Sequence, residues 1–452
     1  AHGNIMSLLD ESMLRKDIPT EYCFKALFRY CDAMTTAPEM PAEDLKPSCY
    51  RLAFSDCSGL IIPPNLPAQD LQESCYRSMF QNCVKLQECP EITSPEVPEY
   101  AYALMFKGCS SLKETPALYS TNIGEHAYDS MFYECTSLKN VTALPAMTVP
   151  AGAYNYMFYG CSALENCPQL PATEIGANAY SYMFRGCSSL KNAPAILPAM
   201  IVPSAAYCQM FCQCSALENC PQLPATDLGV QCYRAMFQLC TSLKTATPLF
   251  ATTVPASGYM YMFAGCSALT GGIEELPATE IGANAYESMF MNDTSLTKAP
   301  AMKFTTIATD SLDNTFDGCT HLNEIEVNFS SWKSGSTGNW VRNVAASGTF
   351  KCPADLPETR GNNNIPTNWT IEKPAPPPFN LLVSYVNKDD GRQLAADTWF
   401  YETTVGTVIN AEAINDYRCI NTPHTVDLQD AAEERFFFEY EPVQNDIKIQ
   451  GC

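Results

Sequence analysis

The stretch Tyr180-Ser181-Tyr182-Met183-Phe184-Arg185-Gly186-Cys187-Ser188-Ser189-Leu190 decides the fold, because its skeleton recurs along the chain. That skeleton is Tyr, three residues, Phe, two residues, Cys, two residues, Leu. Anchored on the Phe, copies fall at Phe28, Phe54, Phe80, Phe106, Phe132, Phe158, Phe184, Phe211, Phe237, Phe263, Phe290 and Phe316. The steps are 26 residues, except 27 from Phe184 to Phe211 and from Phe263 to Phe290. Twelve copies therefore occupy residues 20–325. Three residues after the Phe runs a Cys column from Cys31 to Cys319, broken only by Asp293. Six after it runs a Leu column from Leu60 to Leu322, with Met34 in the first copy.

One such copy cannot bury a core alone. Stacked copies place like residues over like residues and share a continuous interior. A period near 26 residues lies in the range of leucine-rich repeats. The expectation is an α/β solenoid, with a short parallel sheet on one face and short helices on the other. The Tyr-x3-Phe spacing predicts one or two helical turns facing the interior. Residues 138–145, Leu-Lys-Asn-Val-Thr-Ala-Leu-Pro, predict a short strand paired with its neighbours in adjacent coils. A Pro ten residues after the Phe in most copies keeps that strand short.

Composition narrows the function. Over 452 residues, Lys+Arg 27 against Asp+Glu 49 gives a net charge of -22. A nucleic-acid partner requires a basic face, so this balance argues against one. It argues equally against docking on an anionic membrane. No apolar run approaches the ~20 residues that span a bilayer. The first residue is Ala1, which suggests a processed or trimmed chain whose targeting segment is gone.

The phrases Tyr182-Met183-Phe184-Arg185-Gly186-Cys187-Ser188-Ser189-Leu190 and Leu170-Pro171-Ala172-Thr173-Glu174-Ile175-Gly176 resemble the BspA-like leucine-rich repeats of bacterial surface proteins. Residues 1–19 resemble the lead-in segment of such arrays. Residues 326–373, with Trp340-Val341-Arg342, Gly348-Thr349-Phe350 and Ile365-Pro366-Thr367-Asn368-Trp369, resemble their C-terminal cap. A cap is required because the last coil would otherwise expose an apolar face and a strand edge.

Residues 374–378, Pro-Ala-Pro-Pro-Pro, read as a stiff extended linker. After it, Leu382-Val383-Ser384-Tyr385-Val386 and Thr398-Trp399-Phe400-Tyr401 flank Lys388-Asp389-Asp390-Gly391, a hairpin signal. Phe436-Phe437-Phe438-Glu439-Tyr440 reads as a closing strand. Residues 379–452 are thus similar to small MucBP-type β-grasp modules, which implies an adhesive or spacer unit on a surface protein.

Twenty-three Cys invite three readings: disulfides, metal or packing. The ladder Cys read as free core thiols, since stacked side chains hold their Cβ atoms near the coil spacing, wide for a disulfide. Cys23, Cys49, Cys75 and Cys232 lie off the ladder, and neighbouring pairs among them could bridge. Cys208, Cys212, Cys214 and Cys220 have zinc-like density, but Cys214 is the ordinary ladder residue and Cys220 matches Cys89 and Cys167 in register. Packing is the better reading, because structural zinc needs four convergent ligands. His2, His126, His321 and His424 are scattered outside any nucleophile motif. Glu274-Glu275, Asp389-Asp390 and Glu433-Glu434 are adjacent, not facing, carboxylates. The expectation is no enzyme, no metal and no cofactor.

Two columns remain as candidate contact residues. Seven after the Phe stand Lys139, Glu165, Lys191, Glu218 and Lys244, whose alternating sign suits an inter-coil ladder. Beside them run Asn140, Asn166, Asn192 and Asn219, a polar strip able to hold a ligand. One after the Phe stand Tyr133, Tyr159 and Arg185, residue types enriched in interface hot spots. The expected function is a non-catalytic bacterial cell-surface adhesion protein contacting a host or microbial surface protein or glycan. The alternative is a structural spacer or receptor-binding component of a fibre or phage-tail-like assembly.

Overall fold

A computed structural model describes residues 3–12, 15–374 and 378–443. The chain divides into two compact units, Ala1–Glu372 and Lys373–Cys452. Residues 375–377 of the Pro-rich linker, and the chain start at Ala1, lie outside the described residues.

The first unit is a stack of coils joined by parallel pairing throughout. The expected helices are absent: none of the twelve Tyr-x3-Phe segments is a helix, and among the described residues this unit has only the 3-10 helix Ile5–Leu8. Each segment is instead a ribbon of consecutive turns. In the coil of Phe106, alternate amides leave the coil: Tyr102 N–H donates to Ala127 O (3.0 Å), Leu104 to Asp129 (2.8 Å), Phe106 to Met131 (2.9 Å) and Gly108 to Tyr133 (2.8 Å). The intervening amides close turns within the coil, as Ala103 to Tyr100, Met105 to Tyr102 and Cys109 to Phe106. A helix would send every amide to its own fourth carbonyl back.

That division of amides needs a left-handed residue every fourth position. Tyr100, Leu104 and Gly108 have φ of 54°, 60° and 75°, and their equivalents in the other coils are also positive. For a non-Gly residue this costs ~1–2 kcal/mol. Gly or Asn at the third such position (Asn82, Gly108, Gly160, Gly186, Gly265, Asn292 and Gly318) relieves it. The same three-point pattern recurs at Gly335, Asn339 and Asn343, where no Phe-Cys phrase announces it. This thirteenth ribbon carries the fully buried Trp340.

The strand expected at residues 138–145 is reduced to isolated bridges, such as Asn166 with Asn192 and Asn192 with Asn219. Two-residue parallel strands form later in the coil. They pair Glu96–Val97 with Asn122–Ile123, Thr148–Val149 with Glu174–Ile175, Ile201–Val202 with Asp227–Leu228, and Thr253–Val254 with Glu280–Ile281. Close approach follows the second strand of each pair: a Cβ on Gly176 would sit 2.5 Å from the Ala151 amide nitrogen. The array ends on three parallel strands, Glu324–Glu326, Thr349–Lys351 and Thr370–Glu372.

The interior consists of ladders. Phenylalanine rings from Phe28 to Phe316 stack at 5.3–5.7 Å, and tyrosine rings from Tyr50 to Tyr286 at 5.6–5.9 Å. The Cys column has a specific role. From Cys57 onward each column thiol donates to the Phe carbonyl of the preceding coil, as Cys109 to Phe80, Cys161 to Phe132 and Cys266 to Phe237, all 3.1 Å. All described cysteines are free, including Cys23, Cys49, Cys75 and Cys232. Burial pushes the column thiols from Cys57 onward upward, Cys57 itself to about 11, which keeps them protonated and unreactive.

The second unit has a four-stranded sheet in the order Gln393–Thr403, Phe379–Asn387, Arg435–Pro442, Tyr417–Cys419. Its central pair is parallel and the flanking pairs antiparallel. The hairpin turns at Gly391, with φ 69°. The helix Leu428–Glu433 precedes the last strand and is held by a capping box between Asp427 and Asp430. Leu381, Val383, Tyr385, Ile409, Val426, Phe438 and Tyr440 form its core. No described helix of either unit is long and apolar enough to cross a membrane.

Asp293 tests the ladder. It occupies a Cys position, is fully buried, accepts from Cys266 N–H at 2.7 Å, and leaves Oδ2 without a partner. Burial holds its carboxyl well above the usual range, so it stays neutral in the fold. Above the ordinary pKa of 3.8 the unfolded chain ionises and the folded one does not, so this group lowers stability as pH rises. Asp293→Cys is expected to stabilise the chain by ~1–3 kcal/mol, with a gain that grows from pH 4 to pH 7. Thermal midpoints across that range check it; a loss, or a gain that shrinks with pH, contradicts the ladder role.

Candidate functional site

The column one residue after the Phe forms a continuous ladder along the ribbon. The Lys107 ammonium lies 4.5 Å from the Tyr133 ring centre. Tyr133 stacks on Tyr159 at 4.6 Å and 3°. The Arg185 guanidinium follows, 5.9 Å from the Tyr159 ring. Tyr133, Tyr159 and Arg185 are therefore brought together, half-buried against one another, where the sequence suggested exposed anchors.

A second ladder runs beside it, two residues before the Phe. Tyr156 stacks on Tyr182 at 4.4 Å and 3°. Tyr156 is tilted against both Tyr133 and Tyr159, at 6.3 and 5.7 Å. Arg185 lies 5.8 Å from the Tyr182 ring and donates to the Gln209 side-chain oxygen; Gln209 Nε2 donates to the Tyr182 hydroxyl at 3.2 Å. Burial, then the neighbouring Tyr182, raises Tyr156 to about 12; burial also raises Tyr133 and Tyr182. All three phenols stay neutral at physiological pH. The Arg185 Nε is buried without a partner.

Sequence reading missed Tyr156, Tyr182 and Gln209. Their own recurrence two residues before the Phe was the available signal. Only the ribbon geometry shows that this column lies against the other. Because rings cover each other's faces, the cluster offers edges, hydroxyls and guanidinium donors to a partner. Such a patch suits a shallow interface better than a pocket for one planar group.

The asparagine strip occupies another station of the coil. Asn140, Asn166, Asn192 and Asn219 are exposed. Asn192 Nδ2 donates to Asn166 Oδ1, and Asn140 Nδ2 to Glu114 Oε1, each at 3.2 Å. The charged column beside them pairs across coils, Lys191 with Glu165 at 3.8 Å and Lys244 with Glu218 at 2.7 Å. Exposed pairs of this kind contribute ~0–1 kcal/mol and fix register more than they stabilise.

The remaining candidates have local duties. Cys214 belongs to the ladder, donating to Phe184 O, and Cys212 faces Gln238. No group of three or more metal-ligating side chains converges among the described residues. His126 bonds Asp129 at 2.9 Å and stacks on Tyr100; His321 bonds Thr294 O at 2.6 Å; His424 bonds Asp430 at 2.6 Å and stacks on Phe436. His2 lies outside the described residues. Glu275 pairs with Lys303, Asp390 caps its turn through Arg392 N–H, and Glu434 ends the helix in the left-handed conformation.

The BspA type leucine rich repeat region matches this chain in six copies, at residues 25–148, 121–198 and 152–297. All matched residues lie in the first unit. Solved structures that resemble the chain include two crystallised proteins. A leucine-rich repeat protein from Bacteroides ovatus ATCC 8483 is 20% identical, over 77% of this chain and 86% of its own, with a TM-score of 0.41. A leucine rich cell surface protein from Faecalibacterium prausnitzii A2-165 is 21% identical, over 67% of this chain and 75% of its own, with a TM-score of 0.33. No curated protein matches the chain.

Each stacked aromatic pair contributes ~0.5–1.5 kcal/mol beyond area burial. Tyr159→Ala breaks the stack with Tyr133 and the Arg185 contact together, so a loss of about 1–3 kcal/mol is expected by that measure. Urea unfolding of the intact chain measures it; an unchanged midpoint means the ladder does not hold the coils.

Proposed function

The chain belongs to the BspA-type leucine-rich repeat family, and from that premise we propose a non-catalytic bacterial protein of the cell surface or extracellular space, which binds a host or microbial surface protein or glycan through its repeat surface. The Tyr133–Tyr159–Arg185 and Tyr156–Tyr182–Gln209 cluster carries this reading. It gathers the types that dominate hot spots on coils held rigid by the array. Hydroxyl, amide and guanidinium groups suit hydrogen bonding to peptide or sugar. The exposed strip Asn140, Asn166, Asn192 and Asn219 would add weaker contacts.

A second reading has its own observation. On the sheet of the second unit, Trp399, Tyr401 and Phe437 are exposed, and Trp399 and Tyr401 stack at 6.3 Å. In this reading the array is a spacer in a fibre or tail-like assembly, and a MucBP-type module makes the contact. The mixed sheet with a parallel central pair, reached through a short helix, is compatible with a β-grasp module.

Binding of the full chain to arrays of matrix proteins, mucins and glycans separates the two. Tyr156→Ala combined with Arg185→Ala is expected to weaken binding at least tenfold, about 1.4 kcal/mol. Trp399→Ala combined with Tyr401→Ala should leave it unchanged. The reverse outcome supports the spacer reading. Loss of all activity on replacing one His or one carboxylate pair contradicts both.

A further inference from the structure

Two arginines flank Tyr182 in the lateral cluster. Arg185 belongs to the same coil, its guanidinium 5.8 Å from the Tyr182 ring. Arg234 comes from two coils further on. The coil between them is tied to both, Tyr182 N–H donating to Cys208 O (2.8 Å) and Gln209 N–H to Arg234 O (2.8 Å). Its Gln209 side chain accepts from Arg185 and donates to the Tyr182 hydroxyl. Burial pushes the Tyr182 phenol and the Cys208 thiol upward, and the Arg234 charge pulls both back.

These two cations lack a counter-ion. The chain carries Asp+Glu 49 against Lys+Arg 27. Yet among the described residues neither Arg185 nor Arg234 forms an ion pair. The carboxylate of Glu287, which also feels Arg234, accepts from Asn284 Nδ2 instead (2.6 Å). In both arginines Nε is buried without a partner, while the side chain as a whole stays partly exposed. A guanidinium so placed is partly desolvated and unbalanced, which strengthens its pull on an anion that reaches the terminal nitrogens.

We infer that the patch between Arg185 and Arg234 binds the carboxylate of an acidic sugar, whose hydroxyls meet Tyr156, Tyr182 and Gln209. This rests on the lateral cluster being the contact surface, and names the chemistry that the cluster selects. A planar guanidinium matches a carboxylate in shape and charge. The phenols, neutral at physiological pH, both donate and accept, as sugar hydroxyls do. An acidic peptide fits less well. Every amide from Asn178 to Cys187 already donates within the array, so none is left to pair with a peptide main chain. The net charge of -22 also repels a ligand with many carboxylates and favours one that carries a single charge.

The test titrates the full chain with two matched pairs, sialyllactose against lactose and methyl glucuronide against methyl glucoside. The acidic member of one pair is expected to bind roughly tenfold or more tightly than its neutral counterpart, and the pair that responds tells which acidic sugar fits. Arg234→Gln and Arg185→Gln should each erase that preference. Lys85→Gln, at an exposed cation of another coil, should keep it. Arg234→Lys retains the charge, so a preference kept there and lost in Arg234→Gln ties the effect to charge and not to folding. Equal binding of acidic and neutral sugars that Tyr156→Ala still weakens overturns the carboxylate site and leaves the lateral surface standing. Acidic-sugar binding that Tyr156→Ala and Arg185→Gln leave intact contradicts both. No binding of either acidic sugar, or tighter binding of a blocked Gly-Glu-Gly peptide, overturns the proposal as well.

Discussion

The structure depends on amides that leave their own coil. In each ribbon, every second N–H donates to a carbonyl of the next coil while the others close turns locally. This single division sets the rest. It spaces the coils so that rings and thiols stack. It demands a left-handed residue at every fourth position. It also gives the ribbon side of the coils a direction, its outgoing amides donating to the next coil, while on the strand side amides such as that of Gly176 donate back to Val149 O of the preceding coil. Cooperation between neighbours, more than the propensity of any one segment, holds the ribbon, since an isolated run of left-handed Tyr, Ser and Gln residues would be strained.

The thiol column shows how closely sequence and geometry agree. The Cys three residues after every repeat Phe except Phe290 is small enough to be buried between coils and carries one weak donor. The Phe carbonyl already accepts the amide of its own Cys and uses its second lone pair on the thiol of the next coil. Leu or Ala would fill space but leave that lone pair without a donor. This accounts for the many free thiols among the described cysteines, and the same burial weakens their acidity.

The repeat, its register and its buried columns were legible because burial recurs at fixed intervals from Phe28 to Phe316. The helices were not. Tyr-x3-Phe brings two side chains to one face in a helix, and the four-residue turn ribbon does the same, so apolar spacing alone does not separate them. Gly108, Gly160 and Gly186, with Asn82, were the discriminating signal, since these types favour positive φ. The strand at 138–145 failed for a related reason. Its residues meet the preceding coil at a single bridge, Asn140 with Glu114, while Thr148–Val149 pairs with the next coil. At the lateral cluster, Tyr133, Tyr159 and Arg185 were visible as a column. Tyr156, Tyr182 and Gln209 required knowledge that residues two before and one after the Phe are neighbours.

Gln213 tests the central claim most directly. It is exposed, with φ of 64°, at the ribbon position where other coils carry Gly. In a left-handed ribbon, Gln213→Gly removes backbone strain and should raise the unfolding midpoint, by ~1 kcal/mol of stability. In a helix interior the same change would lower stability by a similar amount, about 0.5–1 kcal/mol. A measured gain supports the ribbon; a measured loss contradicts it.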